Sequence, residues 1–163
     1  MSQTLPLDIE IESVGPAHAD VLEALHARAF HRPGDETWTA RSFSDVLNTL
    51  GAFCLIARPK HGKTPEPCGF SACRVRAGSA ELLSLGVTPS HQRMGVAHEL
   101  IEASKQRCRE LGALEMFLEV AKDNPNAQQL YGRLGFEAVG IRKGYYKRLE
   151  DRRIDAITMR IVL

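Results

Sequence analysis

The stretch from Leu82 to Leu100, LLSLGVTPSHQRMGVAHEL, constrains this chain more than any other. An apolar run of strand character, LLSLGV, passes through a basic, glycine-bearing step into an amphipathic run of helical character, with no ordinary capped turn between them. A helix N-terminus leaves its first amides without intrahelical partners and carries about half a positive charge, so it suits a phosphate or pyrophosphate. Gly95 and the small Ala97 let backbone approach such an anion closely, and Arg93 adds charge. Taken alone, the same residues also serve as a plain surface turn, so their flanks must decide.

The flanks predict one α/β domain. Residues 8–14, DIEIESV, alternate with period two as a half-buried strand, and Pro16 opens a helix through PAHADVLEALHARAF. Breakers in HRPGDET end that pattern, and Trp38 and then a second helix to about Thr49 follow. Strands are predicted at 51–57, 69–76 and 80–88, with RPKHGKTPEP as an exposed hairpin loop between the first two. The helix after 88 puts Ala97, Ile101, Ser104, Cys108 and Leu111 on one face and stops at Gly112. MFLEVA, residues 116–121, is a strand, NPNAQQLYGRLG a short helix started by Asn124 and Pro125, and FEAVGIR and IDAITMRIV are closing strands. The order β α α β β β α β α β β implies a mixed, mostly antiparallel sheet with helices on both faces, spanning residues 1–163 without linker or repeat.

Composition narrows the partners. With 21 basic against 20 acidic side chains, no global field gathers nucleic acid or an anionic membrane. MSQTLPLDIE lacks a basic region followed by an apolar one, and no apolar stretch nears the ~18 residues that span a bilayer, so a cytoplasmic protein is expected. Cys54, Cys68, Cys73 and Cys108 show neither CxxC pairing nor histidines at a zinc spacing, which predicts free thiols and no metal.

Together, LLSLGVTPSHQRMGVAHELI and LEVAKDNPNAQQLYGRLGF resemble the acetyl-CoA site of the GNAT N-acetyltransferase superfamily, whose phosphate loop reads Q/R-x-x-G-x-G/A. WTARSF, LEVAKDN, LYGRLGF and IRKGYYKRLEDRRIDAITM make the chain most similar to the ribosomal-protein-alanine N-acetyltransferases. The resemblance implies acetyl-CoA as cosubstrate, with the backbone of Leu85, Gly86 and Val87 along the pantetheine arm and acetyl group. It also implies Arg93, Met94, Gly95, Val96, Ala97 and His98 around the pyrophosphate, and the Asn124 amide on the coenzyme. One of the three strand amides would face the thioester oxyanion, worth ~3 kcal/mol when preorganised, with Gly86 marking a bulge that frees it. By the same resemblance Glu119 takes the proton of the attacking amine, through water, and Tyr131 protonates the departing thiolate.

Each assignment has a plainer counterpart. Asn124 before Pro125 is also an ordinary helix cap, Glu119 in MFLEVA also reads as an outward glutamate with a salt partner, and Tyr131 also reads as packing. The resemblance implies a protein N-terminus as acceptor, the N-terminal alanine of a ribosomal protein, attacked directly without an acyl-enzyme. A lysine side chain, a small-molecule amine and a non-catalytic acyl-CoA-binding module remain the alternatives. Tyr145 and Tyr146 match the subfamily, but KRLEDRRI replaces its usual proline- and glycine-bearing turn beside the expected peptide groove, and its Arg148, Arg152 and Arg153 read as charges for an acidic partner or as simply solvated. The six histidines, His26 among them, are scattered without a shared spacing and read mainly as solvated or loop residues.

Overall fold

The computed structural model describes residues 7–62 and 65–163. The leading segment Met1–Pro6 and Lys63 and Thr64 in the predicted hairpin loop lie outside the described residues. Among the described residues seven strands form one sheet: β1 (Ile9–Val14), β2 (Ala52–Pro59), β3 (Gly69–Arg76), β4 (Ser79–Val87), β5 (Glu115–Ala121), β6 (Glu137–Lys147) and β7 (Arg153–Val162). Their spatial order is β1-β2-β3-β4-β5-β7-β6, antiparallel throughout except for the β4–β5 pair. Four helices complete the domain: α1 (Ala19–Ala29), α2 (Ala40–Leu47), α3 (Val96–Glu110) and α4 (Pro125–Arg133).

Both faces of the central strands are covered, which is why AFCLIA and GFSAC read as continuous apolar runs. On one face Phe53, Leu55, Val75, Leu82, Met116 and Leu118 pack with Val96, Leu100, Ile101 and Cys108 of α3. On the other, Cys54, Ile56, Phe70 and Ala72 pack with Leu22, Leu25 and Phe43 of α1 and α2. Leu100 and Ile101 are fully buried, each contributing about 1.5–3 kcal/mol. A buried Ser71–Ser104 hydroxyl pair at 2.8 Å fixes α3 across β3. No helix among the described residues is long and apolar enough to cross a membrane.

Several boundaries differ from expectation for local reasons. Pro16 opens a short 3-10 turn, Pro16–His18, before α1 begins at Ala19. The second helix ends at Leu47, short of the expected Thr49, while its start at Ala40 is set by a reciprocal capping box between Thr39 and Ser42. The buried stripe of α3 is Val96, Leu100, Ile101, Ser104 and Cys108; Leu111 has passed to the C-cap and is 40% exposed. The stop at Gly112 holds: with φ +85°, its amide bonds the Arg109 carbonyl while Ala113 bonds that of Cys108, a Schellman closure. The sixth strand runs five residues past the predicted end at Arg142, to Lys147, carrying Tyr145 and Tyr146 within the sheet.

The expected bulge at Gly86 is not there. Register slips instead around Leu83, where Cys73 faces Leu82 and the adjacent Ala72 faces Ser84. Gly86 is needed for close packing: a Cβ there would lie 2.5 Å from Phe70 Cε1 and 2.8 Å from Ala29 Cβ. Gly86→Ala is therefore expected to destabilise the domain by about 1–3 kcal/mol through overpacking, seen as a lower urea midpoint at unchanged slope.

Candidate active site

β4 and β5 pair only from Ser79 to Leu82 and from Glu115 to Leu118, then part. Beyond that point each strand presents an unpaired edge to a cleft of about 1170 Å³. Thr88 donates its amide to the Cys68 carbonyl, so antiparallel alternation turns the polar groups of Gly86 toward β3 and those of Leu85 and Val87 toward the cleft. The Gln92 side-chain amide donates to the Val87 carbonyl at 3.2 Å, in keeping with that orientation. Leu85 and Val87 thus supply cleft-facing amides, while Gly86 lets α1 sit close above them.

The basic glycine step lies at the same end of β4. Arg93 and Gly95 both adopt left-handed backbone, φ +63° and +86°, which wraps the loop so that α3 starts facing the cleft. Gly95 is the N-cap of α3, and a side chain there would meet nothing within 4 Å. Among the described residues, the amides from Arg93 to His98 donate to no protein acceptor, and the first helical bond runs from Glu99 to Gly95. Arg93, Gly95, Val96, Ala97 and His98 line the cleft, whereas Met94 is half-buried and offers its carbonyl to Leu7. The His98 imidazole leans toward Glu99 at 3.4 Å.

Across the cleft, the Asn124 side-chain carbonyl accepts from the Ala127 amide at 3.2 Å, so it does cap α4. Its side-chain NH2 has no partner among the described residues, and Asn124 lines the cleft. Tyr131 stands on the same helix, edge-on to Phe136 with ring centres 5.8 Å apart. Burial, more than the neighbouring Tyr146, pushes its phenol well above the ordinary value, so it holds its proton throughout the neutral range.

Glu119 is the first β5 residue past the parting, and its side chain is 17% exposed. Arg142 Nε approaches one carboxylate oxygen at 3.1 Å and the Thr158 hydroxyl donates to the other at 3.5 Å. The salt partner of the plainer reading is therefore present, yet Glu119 also lines the cleft. Its main-chain carbonyl accepts from the Tyr146 hydroxyl at 3.1 Å, and burial lifts the Tyr146 phenol to about 12.

The part of the cleft away from the start of α3 is roofed by two segments. The 31–39 loop meets the turn between β6 and β7, where a side chain at Gly34 would come within 3.5 Å of the Leu149 nitrogen. In KRLEDRRI, Arg148 is neither a docking charge nor simply solvated: it grips Asp123 with two bonds, 2.9 and 3.2 Å, and lies over the Tyr146 ring. This clamp, and the buried His26 beneath the roof, were missed in the sequence, where no local signal pairs Arg148 with Asp123. All four cysteines are buried and unpaired, and none lines the cleft, so no thiol stands where an acyl-enzyme would form.

A family model described as "Acetyltransferase (GNAT) family" matches residues 19–136, which contain every element of the cleft except Tyr146 and its turn. The chain belongs to the GNAT acetyltransferase family. Among curated GNAT relatives, the [ribosomal protein bS18]-alanine N-acetyltransferase of Haemophilus ducreyi is 32% identical over 118 residues, 72% of this chain and 80% of its own. Among solved GNAT structures, the ribosomal-protein-S18-alanine N-acetyltransferase of Escherichia coli superposes with TM-score 0.80 at 24% identity, over 94% of this chain and 93% of that one. Arabidopsis thaliana NAA60 in complex with acetyl-CoA superposes with TM-score 0.78 at 20% identity, over 95% and 98%.

The raised tyrosines give the GNAT site a measurable signature. Two of the three tyrosines, Tyr131 and Tyr146, should stay un-ionised at about pH 11 in an ultraviolet titration, and Tyr146→Phe should remove one late step. Because the unfolded phenols ionise first, near about 10, their contribution to stability is complete below that pH and declines as pH rises through about 12.

Proposed function

We propose that this enzyme transfers acetyl from acetyl-CoA to the N-terminal α-amine of a protein, the N-terminal alanine of ribosomal protein bS18. The observation that carries the coenzyme half is the run of partnerless amides from Arg93 to His98 at the mouth of α3. A diphosphate can take several of them at once, with Arg93 adding charge, and the cleft-facing Leu85 and Val87 edge fits an extended arm that itself bears amides. The Asn124 side-chain NH2 supports the arm from the opposite wall.

The chemistry follows from where the side chains stand. Glu119, between the strand edge and the roofed half of the cleft, accepts the amine's proton through water. A main-chain amide of the β4 edge, Leu85 or Val87, steadies the oxyanion as the amine adds to the thioester carbon. The tetrahedral intermediate then collapses, the C–S bond breaks, and the Tyr131 hydroxyl meets the thiolate. Full transfer from an ordinary phenol to a thiolate near pKa ~8.5 is uphill by about 2 kcal/mol. Burial of Tyr131 raises that cost, so its hydroxyl serves first as a hydrogen-bond donor to the forming thiolate.

The acceptor half rests on the relatives' names together with energetics. An α-amine of pKa ~7.8 costs about 1 kcal/mol to neutralise at pH 7, whereas a lysine at ~10.4 costs about 4.6 kcal/mol. A carboxylate working through water copes with the first far more readily than with the second.

Coenzyme uptake and turnover test the reading separately. By calorimetry, Arg93→Glu and Gly95→Val should each weaken acetyl-CoA binding by about tenfold or more, through charge reversal and blocked approach. With an alanine-starting bS18 peptide, Glu119→Gln should lower kcat by about 10²–10⁴ while leaving coenzyme binding intact. An N-blocked, lysine-bearing peptide turned over as fast as the free N-terminus would overturn the acceptor.

A further inference from the structure

His26 sits on α1 with only 2% of its surface exposed, enclosed by aromatic rings. Phe30 stacks on it at 4.4 Å, and Phe70, Phe43 and Trp38 surround it at 5.9, 6.0 and 6.2 Å. Phenylalanine, the identity of three of these neighbours, would fill the same hollow without a polar atom to satisfy. Yet no group among the described residues hydrogen-bonds the His26 ring. No fully buried side-chain nitrogen there lacks a partner either, so the ring must reach the cleft, which His26 lines. A polar side chain this enclosed is normally paired, and the missing partner lies on the cleft side.

The location says which ligand that is. α1 packs on the sheet face opposite α3, so His26 fronts the half of the cleft roofed by the 31–39 loop, away from the open amides of Arg93 to His98. Phe30 and Trp38 line that same half. We propose that His26 reads the acceptor's main chain. Its cleft-facing nitrogen hydrogen-bonds the first peptide group of the incoming protein N-terminus, while Phe30 and Trp38 restrict the space beside it to a small first side chain. This assignment rests on the protein N-terminal acceptor proposed above.

The ring is suited to the task. Burial pushes the imidazole below its ordinary pKa, against the opposing pull of Asp35, so at neutral pH it carries one donor and one acceptor nitrogen. A peptide group offers both complements, and a neutral ring does not repel an arriving α-ammonium. A free amine without a peptide group leaves the nitrogen unpaired.

The test compares two acceptors that differ only in their first linkage: an alanine-starting peptide, and the depsipeptide whose first amide is an ester. The ester lacks the N–H and has a weaker carbonyl acceptor. Wild type should prefer the amide by about tenfold in kcat/KM. His26→Phe should reduce that preference to about twofold or less, and His26→Gln, which restores a polar tip, should keep most of it. Coenzyme A affinity by calorimetry checks the fold of each variant, with His26→Met as the nitrogen-free replacement should the phenylalanine variant fail that check. A wild type without amide preference, or a nitrogen-free variant that keeps it, overturns the role of His26 while leaving N-terminal acetylation standing. A wild type that turns over neither acceptor overturns N-terminal acetylation, and the role of His26 with it.

Discussion

The site depends on two parallel strands ceasing to pair after Leu82 and Leu118. Parallel pairing in an otherwise antiparallel sheet lasts for four residues on each strand, and the register slip at Leu83 turns β4 away just where it ends. Two strand edges are then left with polar groups that folding normally pairs. Their cost is tolerable because the gap between them is a cleft open to water and to an extended ligand. A sheet that stayed zipped to Val87 would have a better ladder and no active site.

From that parting the two halves of the site are assigned by which face each helix covers. α3 lies on one face and brings its uncapped N-terminus, framed by left-handed Arg93 and Gly95, to the end of β4. α1 lies on the other and brings His26 and Phe30 to the same strand edge from the opposite side. Gly86 links the two, since its missing side chain lets α1 close down on β4 where the adjacent amides turn toward the cleft. Under the proposed function, a thioester anchored from the α3 side and an amine arriving from the α1 side would meet between them, in keeping with direct attack.

The parts of this arrangement that are local in sequence were legible there. The strand–glycine step–helix pattern, the stop at Gly112 and the start at Asn124–Pro125 each follow from backbone preferences within a few residues, and all three stand in the structure. The element order and mixed sheet were readable from periodicity and turn signals for the same reason. What could not be read depended on contacts between distant segments. The bulge fell at Leu83 because pairing with β3 and parting from β5 set it, whereas a glycine at position 86 suggested a bulge on local grounds alone. Arg148 looked like a free surface charge because its partner, Asp123, is 25 residues away and meets it only when β7 pairs with both β5 and β6 and so brings the β6–β7 turn near the end of β5. His26 looked like one more scattered histidine because its cage draws on α1, α2, β3 and the 31–39 loop together.

Glu119 shows how one residue can satisfy two readings of the sequence at once. An unpaired carboxylate is costly to bury at 17% exposure, and Arg142 supplies the partner that such a position calls for. The pairing does not withdraw Glu119 from the cleft, because the arginine approaches from the other side. There a basin of about 290 Å³ lined by Arg74, Glu81, Arg142 and Thr158 also reaches Glu119. Arg142, with its side chain 60% exposed, stands on the basin side and does not line the cleft, so the salt bridge that argued for a purely structural glutamate leaves the cleft side of Glu119 open to the role proposed for it.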